Sequence, residues 1–398
     1  MEIDIERIRH YRLRAHHLDR KIPPTDLISA AGACGLQNSP PGAWETSLFN
    51  RLTDCSLPLL HDALYRKKSL LQAWSFRGAP VVFPTRESAV FLSALIAEKG
   101  EEPWIYTTGI AAALEFVHMP FDDLLLRTKE AARQLDRQTI KSKEALDRTL
   151  SDIIRKDLPP EKQTLWNAPS MYGRPDKQTV GDAMVSFLLR PCSFYSLVVF
   201  GERQGVSPTF TSFWNWIGHP PDPLPEADKA LTRKFLHCYG PAAKDSFMRW
   251  LGCSRQQAQR LWDAAADEME PVTVSGKISY MLTADMDNLR QGEKSGDRLM
   301  LLGAHDPYLD IRDKSVLLES KALHAAVWKT VANPGVVLKG GRIIGVWKPR
   351  TQENKLDIAL TLFEALRPAE HQMLKILAEE YAVFRMLDLR SCRITSVE

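Results

Sequence analysis

The side chains able to do chemistry in this sequence fall into a few short clusters. Gly35-Leu36-Gln37-Asn38-Ser39-Pro40-Pro41 sets an amide and a hydroxyl two residues apart, ahead of two prolines. A carboxamide oxygen can orient a water molecule, whereas a serine hydroxyl at its ordinary pKa is a poor base. The same residues have a plainer use, with Gln37 satisfying backbone groups at a helix end and Ser39 serving as a turn residue before proline. His16 with His17, and His305 with Asp306, are the suggestive metal or acid–base pairs. Adjacent residues point in different directions and no third ligand is spaced to join either pair, so no metal is expected.

Two further clusters are basic. Lys339, Arg342, Lys348, Arg350 and Lys355 lie on and after the hairpin-like stretch GVVLKGGRIIGVWKPR. A two-stranded ribbon with such rims can lie along phosphates or enter a groove; charge on a sheet edge also prevents aggregation. Arg255, Gln256, Gln257, Gln259 and Arg260 open a helix with side chains suited to phosphates and base edges. An ordinary exposed helix face has the same composition. Neither GxSxG, HExxH, a P-loop nor a dinucleotide fingerprint occurs, so a cofactor-independent role is expected.

The elements that must position these groups are legible from composition and pattern. With 398 residues, 44% hydrophobic and 25% charged, the chain has the balance of a globular protein of two to four modules. A formal charge of +3 attracts a polyanion only weakly, so a nucleic-acid surface has to come from local clusters. The six cysteines are scattered without a CxxC pair, which fits buried free thiols. The stretch MEIDIERIRHYRLRAHH lacks an apolar h-region, and no run reaches the roughly 18 apolar residues of a membrane span. A cytoplasmic protein without a membrane partner is expected.

Three times, short helical patterns precede a strand pair. TDLISAAGAC, SLFNRL and LLHDALYRKKSLL lead to LLQAWSF and PVVF; SKEALDRTLSDIIRKDL and TVGDAMVSFLLRPCSF lead to SLVVFGERQGVSPTFTSF. EADKALTRKFLHCYG, PAAKDSFMRWLG and SRQQAQRLWDAAADEM lead to the tight hairpin VTVSGKISYML. The remainder is strand-rich in LMLLGAHDPYL, SVLL, GVVLKGGRIIGVWK and KLDIALTLFEAL, with PAEHQMLKILAEEYAVFRML as a closing amphipathic helix. The expectation is an α+β protein: tandem winged-helix (helix-turn-helix) modules over residues 1–84, 85–222 and 223–292, then a β-barrel-like region over 293–398.

Five motifs in order carry a resemblance: GLQNSPPGAWETSLFNRL, LLQAWSFRGAPVVF, LTRKFLHCYGPAAKDSFMRWLG, LLGAHDPYL and NPGVVLKGGRIIGVW. Together, from about residue 14 to about 365, the chain resembles the winged-helix DNA glycosylases that include AlkZ and YcaQ. The resemblance implies three winged helices holding a β-barrel, a C-shape gripping double-stranded DNA, excision of alkylated purines and, in some members, unhooking of interstrand crosslinks. It also implies a catalytic motif of glutamine, an aliphatic residue, then glutamine or aspartate. Here that motif reads Gln37-Asn38-Ser39, so the first position carries over and the next two depart. An N7-alkylated purine is a cationic, ready leaving group, so such an enzyme chiefly holds water near C1′ and stabilises an oxocarbenium-like transition state. Gln37 and Ser39 become the catalytic candidates. Asp306 is a further carboxylate that could stand in for the missing partner of Gln37. The alternative, favoured by Asn38-Ser39, is a non-catalytic tandem winged-helix DNA-binding protein or transcription regulator. Oligomeric state is left open.

Overall fold

In the computed structural model, residues 2–101, 109–173, 175–291, 296–310, 313–329 and 331–397 are described, and they form two compact units. One unit comprises residues 1–63, 232–247 and 265–398; the other comprises 64–231 and 248–264. The expected boundary between residues 292 and 293 lies outside the described residues.

The first unit is built on helix Ile5–Ala15. Asp4 caps it by accepting the Glu6 N–H, and Arg12 and Arg14 in its last turn complement the helix dipole. Ile8, Tyr11 and Ala15 enter a core with Ile3, Val272, Met281, Met286, Leu289 and Val316. Arg12, on the same helix, is buried because its guanidinium finds acceptors: it donates to the carbonyls of Tyr239, Gly240 and Pro241 and pairs with Asp313 at 3.0 Å. The Tyr-Gly-Pro motif is thereby held against the first helix of its own unit.

The hairpin of strands Met269–Val274 and Lys277–Leu282 turns through Ser275 and Gly276, both with positive φ, as a two-residue connection between twisted strands requires. Gly340 and Gly341 do the same between strands Gly335–Lys339 and Arg342–Gln352. These belong to a five-stranded sheet in the order Asp388–Ser396, Lys355–Leu362, Arg342–Gln352, Gly335–Lys339, Leu299–Leu302. The C-terminal region, expected to be β-barrel-like, is therefore an open sheet and not a closed barrel. Its last strand runs parallel to Lys355–Leu362, which requires a crossover. Helix Pro368–Phe384 supplies it and, contrary to expectation, does not close the chain. That strand occupies one edge and Leu299–Leu302 the other, so no pairing joins the ends. SVLL, expected as strand, lies at helix Lys314–Leu317; four residues without alternation carry no strand period.

The second unit packs helices Phe121–Ala132, Lys143–Lys156 and Val180–Phe194 beside short strands in the order Pro80–Pro84, Leu70–Trp74, Val199–Phe200, Thr209–Thr211, Ile140–Lys141. Leu146, Leu150 and Ile154 recur every fourth residue along one buried face of their helix. Thr179 and Asp182 form a reciprocal capping box at the start of Val180–Phe194. Just inside it, a Cβ on Gly181 would fall 2.0 Å from the Trp166 indole nitrogen, so the glycine is what lets the ring close on the helix. Trp166 in turn donates to the Ser151 hydroxyl at 2.9 Å. Among the described residues, no helix is long and apolar enough to cross a membrane.

Candidate active site and basic surfaces

Gln37 ends the two-residue strand Leu36–Gln37 in the first unit and is half-buried. Its side chain donates to the Ser39 carbonyl at 3.1 Å. A carbonyl only accepts, so this bond fixes the amide nitrogen there and leaves the amide oxygen to take a hydrogen bond from water. Asn38, where the family pattern has an aliphatic side chain, is buried, and its oxygen accepts the Gly42 N–H at 2.7 Å. The polar replacement thus has a local role, tying down the turn that enters helix Ala43–Arg51. Ser39 is exposed and precedes a cis proline.

The residues that follow line a cavity of about 660 Å³, whose wall includes Pro40, Gly42, Thr46, Trp347, Lys348 and Arg385. Its size falls in the usual range for a ligand pocket. Trp347 donates to the Leu302 carbonyl at 2.8 Å and meets Tyr381 edge to face at 5.1 Å, which fixes the aromatic part of the wall. Beside the turn, Glu45 is buried between His61 at 2.8 Å and Arg385 at 2.5 Å. Burial alone raises its carboxyl, but the hydrogen bonds and charge of His61 and Arg385 outweigh that and hold it below the usual range. Glu45 is a carboxylate near the motif that sequence reasoning did not single out; its place in the first turn of the helix after Pro40-Pro41 was the available signal.

Asp306 cannot stand in for the departed motif position. It is fully buried, and both oxygens are engaged by Arg51, at 2.8 and 2.9 Å. Arg51 also donates to the carbonyls of His16 and Ser47. Burial on its own raises the Asp306 carboxyl, yet the Arg51 charge and hydrogen bonds bring it below the ordinary carboxylate range. The pair cross-braces the unit.

The histidine expectation also changes. His16 has no sequence neighbour able to share a ligand, but folding brings Cys34 and Cys238 to it, with one donor atom from each of the three residues within 4.8 Å of the others. Cys34 and Cys238 lie 18 and 222 positions from His16, separations that carry no motif spacing, so the cluster is invisible in the sequence.

The basic candidates divide by what holds them. Lys348 and Arg350 are exposed. Lys339 pairs with Glu370 at 2.8 Å, and Arg342 makes a two-pronged pair with Glu364 at 2.8 and 3.1 Å. In the second unit Ser254 caps helix Arg255–Asp263, whose first residues Arg255 and Gln256 are exposed. Arg260, further along the helix, is gripped by Glu101 at 2.7 and 3.0 Å and by Asp228. Gln257 is buried and donates to the Leu95 carbonyl.

The family described as "DNA glycosylase AlkZ-like" matches residues 30–386. The chain is 24% identical over 361 residues to an "Interstrand DNA cross-link repair glycosylase" of Streptomyces sahachiroi, covering 86% of this chain and 87% of that protein. Its fold is similar to that of Streptomyces sahachiroi DNA glycosylase AlkZ, with a TM-score of 0.76 at 20% identity, over 99% of this chain and 100% of the other. The match to the family spans most of both units, from before Gln37 to beyond Arg385, and the chain belongs to the AlkZ-like DNA glycosylase family.

Proposed function

We propose that this protein is a monofunctional glycosylase that excises N7-alkylated purines from double-stranded DNA in the cytoplasm, using Gln37 to orient the attacking water. The observation that carries this reading is the Gln37–Ser39 turn, whose amide nitrogen is engaged by the Ser39 carbonyl, followed directly by a cavity of about 660 Å³ that begins at Pro40. A glycosylase extrudes its target nucleotide from the stack, and a wall containing Trp347 and Arg385 suits a purine on a sugar–phosphate backbone. Arg385 beside the turn favours the phosphate, while paired Glu45 tempers its charge. The crosslink chemistry in the name of the Streptomyces sahachiroi relative is a substrate class to extend to this chain, because a crosslinked N7 purine is the same kind of cationic leaving group.

In this reading the helix-plus-hairpin segments at 1–84, 85–222 and 223–292 act as winged-helix modules and 293–398 carries the hairpin that approaches DNA. Lys348, Arg350, Arg255 and Gln256 supply exposed contacts. Lys339, Arg342 and Arg260 contribute by exchanging a carboxylate for a phosphate. Ser39 is the second motif position, with a shorter side chain and no charge, so the rate is set chiefly by Gln37 and the leaving group.

The test is release of N7-methylguanine from duplex DNA in single turnover. The unmodified protein releases the base, and Gln37→Ala slows release about 100-fold, the scale of a lost water-positioning group. Failure to release either N7-methylguanine or a bulkier N7 adduct sinks the enzymatic reading. The observation that Asn38 serves the turn and Ser39 lacks a carboxamide favours one second reading, a scaffold kept for DNA binding. Duplex binding without release, with activity appearing in Ser39→Gln, identifies that case.

A further inference from the structure

We infer that His16, Cys34 and Cys238 form a buried binding site for a thiophilic d10 cation, Zn(II) or Cu(I), in the first unit. The three residues come from the end of helix Ile5–Ala15, the turn before strand Leu36–Gln37 and the end of helix Ala227–Tyr239. They are 1%, 2% and 0% exposed. Among the described residues this is the one group of three histidine, cysteine or acidic side chains whose donor atoms converge so closely.

The imidazole is set up as a ligand. His16 Nε2 lies 3.1 Å from the Cys238 carbonyl, and a carbonyl only accepts, so in the neutral ring the proton sits on Nε2. The lone pair is then on Nδ1, which lies 3.7 Å from Cys34 Sγ. A metal-bound histidine commonly donates its other N–H to a backbone carbonyl, which fixes tautomer and ring orientation. Tyr239 and Tyr308 meet the His16 ring edge to face at 5.2 and 5.5 Å and hold its plane.

The spacing suits a cation. Metal–sulfur bonds of about 2.3 Å and metal–imidazole bonds of about 2.0 Å imply ligand separations of roughly 3.5 to 3.8 Å in a tetrahedral site. The Cys34–His16 edge already has that length, and all three donors lie within 4.8 Å. Two sulfurs and one imidazole select soft or borderline cations over calcium or magnesium. Binding releases both thiol protons; the thiolates neutralise Zn(II), or leave one negative charge with Cu(I) beside buried Arg51, whose Nε donates to the His16 carbonyl. Three ligands suffice for trigonal Cu(I) and leave Zn(II) a fourth position. Because Cys34 lies three residues before Gln37, the bound cation also braces the base of that turn.

This assignment does not rest on the glycosylase reading and is tested without activity. The reduced full-length protein is loaded with Zn(II), Cu(I), or Co(II) as a spectroscopic probe, desalted, and analysed for retained metal. About one equivalent of Zn(II) or Cu(I) is expected, with a thiolate-to-Co(II) charge-transfer band in the cobalt form. Cys34→Ser or Cys238→Ser lowers retention at least about tenfold, while Cys55→Ser and Cys392→Ser leave it unchanged. Retention of Zn(II) over Cu(I), or the reverse, supports the site and identifies the ion. No retained equivalent of any of the three, or a Co(II) spectrum without the thiolate band, overturns the site even if the cysteine variants do not fold. Equal retention in folded Cys34→Ser and Cys238→Ser proteins overturns it as well.

Discussion

Individual residues in this protein owe their roles to the partner each finds. Gln37 is informative because its amide nitrogen is committed to Ser39, which orients the group before any substrate arrives. Changing Ser39 to Gln restores a second amide beside it, and a rise of about tenfold in single-turnover base release is expected. Arg51 and Asp306 show the opposite case, ionised side chains whose chemistry is spent on each other. Asp306→Asn leaves Arg51 buried with its charge uncompensated, so a loss of about 3–5 kcal/mol is expected, read from urea denaturation at neutral pH. The sign of the pH effect follows from the lowered folded-state pKa. Stabilisation by Asp306 is fully present above the unfolded value of about 3.9 and is lost as the pH falls through the folded value. The unmodified protein therefore weakens in acid below about pH 4 more steeply than Asp306→Asn does. Sequence alone offered Asp306 as a candidate in a polar turn; only burial and a guanidinium 255 positions away in the chain decided its use.

Elements were legible where their period or punctuation was strong. Lys143–Lys156 repeats its apolar residues at helical spacing, and the Ser275-Gly276 and Gly340-Gly341 turns announce their hairpins through residues that tolerate positive φ. The final strand Asp388–Ser396 was missed because LRSCRITS has weak alternation and its burial comes from pairing on one side with Lys355–Leu362. That strand forms one edge of the open C-terminal sheet. Close approach between elements was also hidden: nothing in TVGDAM says that an indole lies over Gly181. Gly181→Ala should cost at least about 2 kcal/mol, as overpacking in a tight core does, seen as a lower urea midpoint with unchanged slope. A shift smaller than a few tenths of a kcal/mol means the helix and Trp166 move apart freely.

At the scale of the whole molecule, a charge of +3 makes DNA binding a matter of which basic side chains are unspent. Lys348 and Arg350 are exposed, so replacing both with Ala should reduce the magnitude of the slope of log K against log salt by about 1.8, on the order of 0.9 for each phosphate no longer neutralised. Arg260→Ala should lower stability as well as the slope, since it removes the guanidinium that pairs with Glu101 and Asp228. Fluorescence anisotropy over a salt series, with urea melts on the same proteins, separates the two outcomes; an unchanged slope in the Lys348/Arg350 variant removes those residues from the DNA surface. The sequence by itself determined the membership of the chain in a glycosylase family, the positions of its strongest helices and hairpins, and the location of the Gln37 motif, because these depend on local residue order. Tertiary structure decided which polar groups are available. Asn38 became the acceptor of the Gly42 N–H in its own turn, while Asp306 became a buried counter-ion and Cys34 and Cys238 neighbours of His16, because burial joins residues that no local spacing relates.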